Sequence, residues 1–214
     1  MVVPIVLAAG DSRRMGYPKA LLPLGPATFL TRILATLEKA GLRNPVVVLG
    51  KDAGLVRKSL SGLAAEVAIN THPEMGQLSS LRLALERVDP FTDGCLVWPV
   101  DHPAVSAGLV RELIELFAAS RAPLVLPWHE GRRGHPAIFS SSLCPELLAL
   151  PAGEGAKSVV LRHADRTALL PTSESATVED IDTPEDYYRL TGEELAAALA
   201  RRESSVVALE DPRP

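Results

Sequence analysis

What the chain of 214 residues lacks narrows it before any motif does. Aromatic residues make up only 4% of it, and there are two cysteines, Cys95 and Cys144. Two such distant thiols give neither a disulfide framework nor a cysteine metal spacing, and Cys95, inside an apolar run, reads as a small core residue. An excess of basic charge is missing as well. The net charge of −4 argues against a general nucleic-acid binder, so the basic residues near the N-terminus look local and purposeful. The first apolar run, Val2 to Val6, is too short for a signal peptide or a membrane span, and no charged segment precedes it. The expectation is a cytoplasmic protein with neither nucleic acid nor membrane as partner. There is no internal repeat, low-complexity tract or long linker. A hydrophobic content of 47%, carried by Ala, Leu and Val, suits an α/β protein whose core needs no staples.

The stretch around which the chain is organised runs from Leu7 to Leu24, LAAGDSRRMGYPKALLPL. An apolar strand leads into the small residues Ala8, Ala9 and Gly10, and then into a loop that carries Arg13, Arg14 and Lys19. Small residues let backbone approach a ligand, and successive N–H groups can form an anion-binding nest. Arginine adds a planar fork for phosphate oxygens and lysine a mobile point charge. The loop reads as a polyphosphate cradle. A solvated basic turn is the competing reading. The spacing is not that of a P-loop, since six positions separate Gly10 from Gly16-Tyr17, and the three glycines of a dinucleotide fingerprint are absent.

Downstream, the patterning predicts alternating elements. Thr28 caps a helix over Phe29 to Ala40, ended by Gly41, and Pro45 to Leu49 is a buried parallel strand. A helix over Ala53 to Leu60 and a strand over Glu66 to Asn70 follow. This order requires right-handed crossovers and a mostly parallel sheet. Further helices are expected over Ala107 to Ala119 and Ser158 to His163, and strands over Cys95 to Val100, Pro123 to Pro127 and Thr167 to Pro171. Residues 193–214 are set apart from the domain 1–192 as an Ala-rich helix and a polar tail.

Several further stretches carry candidate chemistry. Asn70 to Leu81, NTHPEMGQLSSL, is a loop broken by Pro73 and Gly76, with Ser79 or Ser80 starting a helix that runs to Val88. A helix start with two hydroxyls suits a phosphate, ribose or base edge, and equally suits ordinary capping. Asp101 stands at the end of a strand, where parallel sheets bind their ligands, and its carboxylate is a hard ligand acceptable to Mg²⁺. It would also serve as a helix cap. The tip Glu130 to Gly134, with Arg132 and Arg133, suggests a hairpin-like loop with cationic reach. Asp182 precedes Thr183-Pro184, a good helix start. His72 and His102 receive no role.

The pattern L-A-A-G-x-S-x-R-M-G-x-P-K over Leu7 to Lys19 resembles the signature of the MobA-like nucleotidyltransferases, and is most similar to the molybdenum cofactor cytidylyltransferase branch. The likeness extends from about Val3 to Leu190, with N-x-x-x-x-M-G, D-x-P, G-x-x-G-H-P-x-x-F and I-D-T-P-E-D in the family's order. Two departures stand out: Gln77-Leu78 within the second motif, and Val100 where the family usually has glycine. The resemblance implies a three-layer α/β/α fold of the GT-A-like type. It implies that Leu7, Ala8, Ala9 and Gly10 line the nucleoside, that Arg14 and Lys19 hold phosphates and act in catalysis, and that Asn70, Gly76, Ser79 and Ser80 contact the nucleotide. Asp101, also catalytic, and Asp182 would hold Mg²⁺. Arg132, Arg133, His135 and Lys157 would face a phosphorylated small-molecule acceptor of the molybdopterin kind. The implied partners are a nucleoside triphosphate, with CTP favoured by Ala9, and a molybdoenzyme maturation partner. A related transferase using another nucleotide, or a sugar or polyol phosphate, is the alternative, as is a nucleotide-binding module of an oxidoreductase system.

Overall fold

The computed structural model describes residues 1–151 and 153–210. Along the chain run β1 (Val2–Ala8), a small hairpin of β2 (Pro23–Leu24) and β3 (Ala27–Thr28), α1 (Phe29–Lys39), β4 (Val46–Leu49), α2 (Ala53–Ser59) and β5 (Glu66–Ile69). After these come α3 (Gln77–Leu85), β6 (Gly94–Pro99), α4 (Ala107–Ser120), β7 (Leu124–His129), β8 (Arg132–Arg133) and β9 (Ala137–Ser140). The rest comprises α5 (Cys144–Ala149), α6 (Ala156–Arg162), β10 (Thr167–Pro171), α7 (Pro184–Thr191) and α8 (Leu195–Glu210). Residues 211–214, at the end of the expected helix and polar tail, lie outside the described residues.

The main sheet has the order β10-β7-β9-β6-β1-β4-β5, with β8 paired to β7. Along that path β9 alone runs antiparallel to its neighbours. The mostly parallel sheet expected from the sequence is therefore present. Its central strands β1, β4 and β6 are apolar because both faces are covered, and consecutive side chains enter opposite cores. Val6, Val47, Leu49, Leu96 and Trp98 join α1, α4 and α7 on one side. Ile5, Val46, Val48, Cys95 and Val97 join α3, α5 and α6 on the other.

Two helices begin earlier than the serines suggest. In α3 and α6, Ser79 and Ser158 do not cap; each lies inside the helix and donates its hydroxyl to the carbonyl three residues back, on Gly76 at 2.7 Å and Gly155 at 2.9 Å. The glycines take the cap positions instead. The expected cationic hairpin is β7–β8, turned through Glu130 (φ 43°) and Gly131 (φ 82°), the left-handed pair that a two-residue hairpin loop favours. No helix among the described residues is long and apolar enough to cross a membrane.

Candidate active site

The chain leaves β1 for β4 and β5 on one side, then returns to place β6 on the other, so the order reverses between β1 and β6. Open parallel sheets bind ligands at that crevice, outside the carboxyl ends of their strands. Register aligns the ends: Leu7 pairs with both Val48 and Pro99, which brings Ala8–Gly10, Gly50–Asp52 and Val100–Asp101 to one rim. A cleft of about 350 Å³ opens there.

The basic loop folds over this cleft. Ser12 adopts φ 50°, its hydroxyl accepts from the Lys19 N–H at 3.1 Å, and its carbonyl accepts from Met15 and Gly16. Met15 is buried and pins the loop to the core. The turn before it is packed from below by Gly50: a Cβ at that position would stand 2.4 Å from the Ala9 carbonyl oxygen. Backbone cannot yield as a flexible side chain does. Gly50→Ala is therefore expected to cost about 1–3 kcal/mol of stability and to weaken nucleotide binding, as measured by thermal melting with and without nucleotide. A variant with wild-type melting and affinity would mean that the turn tolerates displacement.

Four charged side chains converge at the mouth of the cleft. Lys19 Nζ donates to Asp101 Oδ2 at 3.1 Å and, more closely, to Asp182 Oδ1. Arg14 meets the other oxygen of Asp182 at 2.5 Å. Lys19 is only 12% exposed, so this cation lies in a partly dehydrated place where its field is strong. Arg13 points elsewhere, to Asp11 at 2.9 Å, which also meets Lys51 at 3.4 Å. The side chain of Arg13 and then burial and Lys51 act on Asp11, with the net effect of holding its carboxyl below the usual range.

Neither aspartate is used as a cap. The helix after Asp101 is capped by Ser106, whose hydroxyl accepts from Leu109 N. The helix after Asp182 is capped by Thr183 in a box with Asp186. Asp182 stands in the loop between β10 and α7, well past the end of any strand. The donor set fits a hard divalent cation. Asp101 Oδ1 is buried without a hydrogen-bond partner, and both carboxylates already face one positive charge. Among the described residues no cluster of three or more His, Cys, Asp and Glu could hold a metal. A cation held by this pair would complete its shell with phosphate oxygens and water, which is the usual habit of Mg²⁺.

The other sequence candidates divide. Leu7, Ala8, Ala9, Gly10, Gly76 and Ser80 line the cleft. Asn70 and Ser79 do not. The Asn70 amide donates to the hydroxyls of Ser79 (2.8 Å) and Ser80 (2.9 Å), and its oxygen accepts from His72 N, so it ties the loop together from inside. Arg132, Arg133, His135 and Lys157 surround a second cavity of about 460 Å³, which shares Leu7, Gln77 and Pro99 with the first. Its wall includes Phe139, the last residue of the G-x-x-G-H-P-x-x-F motif, and Trp128, Leu126 and Leu161, which were not singled out in the sequence. Arg132 is partly committed, since it donates to the Val178 carbonyl at 2.8 Å. Lys51 was also missed; its position just after β4 was the available signal.

His135, in the wall of the second cavity, packs against the buried His102, with ring centroids 4.9 Å apart. Burial, and then the charge of His102, push His135 down to about 4. Burial opposes charge on His102 too, but Asp180, Asp101 and the Ala176 carbonyl outweigh it and raise its pKa.

Residues 4–167 match the MobA-like NTP transferase domain family. Nicotine blue oxidoreductase of Paenarthrobacter nicotinovorans is 30% identical, over 88% of this chain and 96% of that one. A molybdenum cofactor guanylyltransferase of Xanthomonas euvesicatoria is also 30% identical, over 88% and 94%. Among solved structures, Rv0371c of Mycobacterium tuberculosis H37Rv superposes with a TM-score of 0.79 at 30% identity, over 90% of this chain and 98% of that one. The same protein has been solved in complex with manganese.

Proposed function

The chain belongs to the MobA-like NTP transferase family and is a nucleotidyltransferase, and from that premise we propose that it moves CMP from CTP onto a phosphorylated small molecule such as a molybdopterin. The observation that carries this reading is the convergence of Lys19, Arg14, Asp101 and Asp182 at a cleft that shares Leu7, Gln77 and Pro99 with the second cavity. A phosphate oxygen of the acceptor attacks the α-phosphorus. The bond to the β-phosphate bridge oxygen breaks, and pyrophosphate leaves with the electron pair. No protein nucleophile is required, because such transfers depend mainly on position and charge stabilisation.

Each group then has a part. The Ala8–Gly10 turn receives the nucleoside, and Arg14 and Lys19 neutralise the triphosphate and the leaving pyrophosphate. Asp101 and Asp182 would hold Mg²⁺ or Mn²⁺, which supplies Lewis-acid polarisation of the α-phosphoryl group. Arg133, Lys157 and His135 face the acceptor, and the apolar wall of Trp128 and Phe139 suits a flat ring system. The manganese complex of the structural relative supports a divalent metal here.

Choice of base is the finer part of the proposal, because several relatives are named guanylyltransferases. Ala9 is 6% exposed, so its methyl fills space in a closed turn that glycine would leave open to a purine. One methyl separates ligands by about 1–3 kcal/mol, so neighbouring residues such as Gln77 must add to it. CTP is expected to outcompete GTP at the wild-type site, and Ala9→Gly to relax that preference partially. Equal or better use of GTP in a competition assay would sink the base assignment and leave the transferase standing.

A further inference from the structure

The segment 172–182 leaves β10 and crosses the carboxyl ends of β7 and β6, with the amino end of the antiparallel β9 between them, before delivering Asp182 to the cleft. Backbone ties hold it at intervals: Thr172 N donates to the Trp128 carbonyl (2.9 Å), His135 N to Thr177 (2.7 Å) and Ile181 N to Asp101 (3.0 Å). Its middle is fixed by one buried side chain. His102, 2% exposed, places Nδ1 3.2 Å from the Ala176 carbonyl and Nε2 3.0 Å from Asp180 Oδ1. Both partners accept, so both ring nitrogens donate, and the ring spans the segment at two points. His102 is itself held to β6, because Trp98 Nε1 donates to its carbonyl at 3.0 Å.

We propose that His102 and Asp180 form a latch that sets the separation of the Asp101 and Asp182 carboxylates, and through it the divalent-cation affinity of the cleft. The proposal rests on the assignment of those two carboxylates to the metal. His102 follows Asp101 in the chain, and Asp180 stands two residues before Asp182, so the latch joins the two ligand-bearing segments directly. Such a tie has work to do. Once Lys19, which now bridges them, turns to phosphate, two carboxylates about a quarter exposed repel unless another cation lies between them. Among the described residues the one backbone restraint on Asp182 itself is its N–H on Asp186 at 3.0 Å. His102 and Asp180 are positioning residues: neither is placed against substrate.

Asp180 is 61% exposed, so Asp180→Ala should fold. Losses of such outer contacts weaken metal binding by about 10–100-fold. Mn²⁺ titrated alone into the whole chain and followed by electron paramagnetic resonance should show roughly a tenfold weaker half-saturation in Asp180→Ala. Amide hydrogen exchange should accelerate over 174–183 and stay unchanged in β1, β4 and β6. Asp180→Asn keeps an acceptor oxygen for Nε2 while losing the charge, and it should recover most of the wild-type affinity. Unchanged Mn²⁺ affinity in Asp180→Ala overturns the latch. So does an Asp180→Asn variant no better than Asp180→Ala, since charge alone would then explain the loss. Faster exchange across the whole sheet would make the contact merely structural, and that also overturns it. A wild type that takes up no Mn²⁺ overturns the metal assignment itself, a result distinct from these.

Discussion

Asp101→Asn is expected to lower turnover by on the order of 10²–10³-fold while leaving the fold and the nucleotide pocket intact. The amide keeps the size of the carboxylate, so packing at the end of β6 is preserved. It loses the charge that makes Asp101 a good ligand for a hard cation, and it loses half of the negative field that Lys19 now balances. Oδ1 of this residue is buried without a hydrogen-bond partner, so it contributes little to holding the native fold. Melting should therefore change little, nucleotide binding in the absence of metal should persist, and the loss should be deepest at limiting metal. Near-normal turnover at limiting Mg²⁺ would remove Asp101 from the metal site. Asp182→Ala is expected to behave alike, because Thr183 rather than Asp182 caps α7. A variant that only melts earlier would return Asp182 to a structural role.

Lys19→Ala carries the second large effect, a loss in rate of about 10²-fold or more, with Arg14→Ala close behind. Lys19 is the least exposed cation of the group and touches both aspartates, so no neighbour can take its place. Without it, two partly buried carboxylates face each other with Arg14 alone for balance. With nucleotide bound, the ammonium would lie among phosphate oxygens and oppose the charge that builds on the departing pyrophosphate. The kinetic signature separates the roles. A fall in turnover at saturating nucleotide marks stabilisation of the transition state, whereas a raised KM with unchanged turnover marks uniform binding. Arg13 is 82% exposed and engaged with Asp11, so Arg13→Ala should matter less. Equal losses at Arg13 would mean that the loop presents the other arginine.

The parts of this site that the sequence revealed are those encoded locally. A strand followed by Ala8-Ala9-Gly10 and a cationic loop is contiguous, and its placement follows from the rule that parallel sheets bind at their carboxyl ends. Asp101 was visible for the same reason. Asp182 was visible by resemblance, yet its environment was not, because the cap that competed for it was decided by Thr183 and Asp186. The serines at 79 and 158 misled for a physical reason: a hydroxyl that signals a helix start can equally bond back to a carbonyl one turn earlier, and glycine then takes the cap. The His102 latch had no local signal at all. Its partners, Ala176 and Asp180, lie more than seventy positions away, and only the path of the segment after β10 brings them to β6. Most of the apolar wall of the second cavity was hidden likewise: Phe139 closes the G-x-x-G-H-P-x-x-F motif, but Trp128 and Leu161 come from two other elements and carry no motif.

Pyrophosphate release by the wild-type protein bears most directly on the central claim. CTP and GTP would each be supplied with Mg²⁺ or Mn²⁺, with and without phosphorylated acceptors that include a molybdopterin. The expected result is metal-dependent pyrophosphate release that requires an acceptor, runs faster with CTP, and forms an acceptor–CMP product in equal amount. Nucleotide binding without pyrophosphate release, whatever the acceptor, would contradict it and point instead to a binding module.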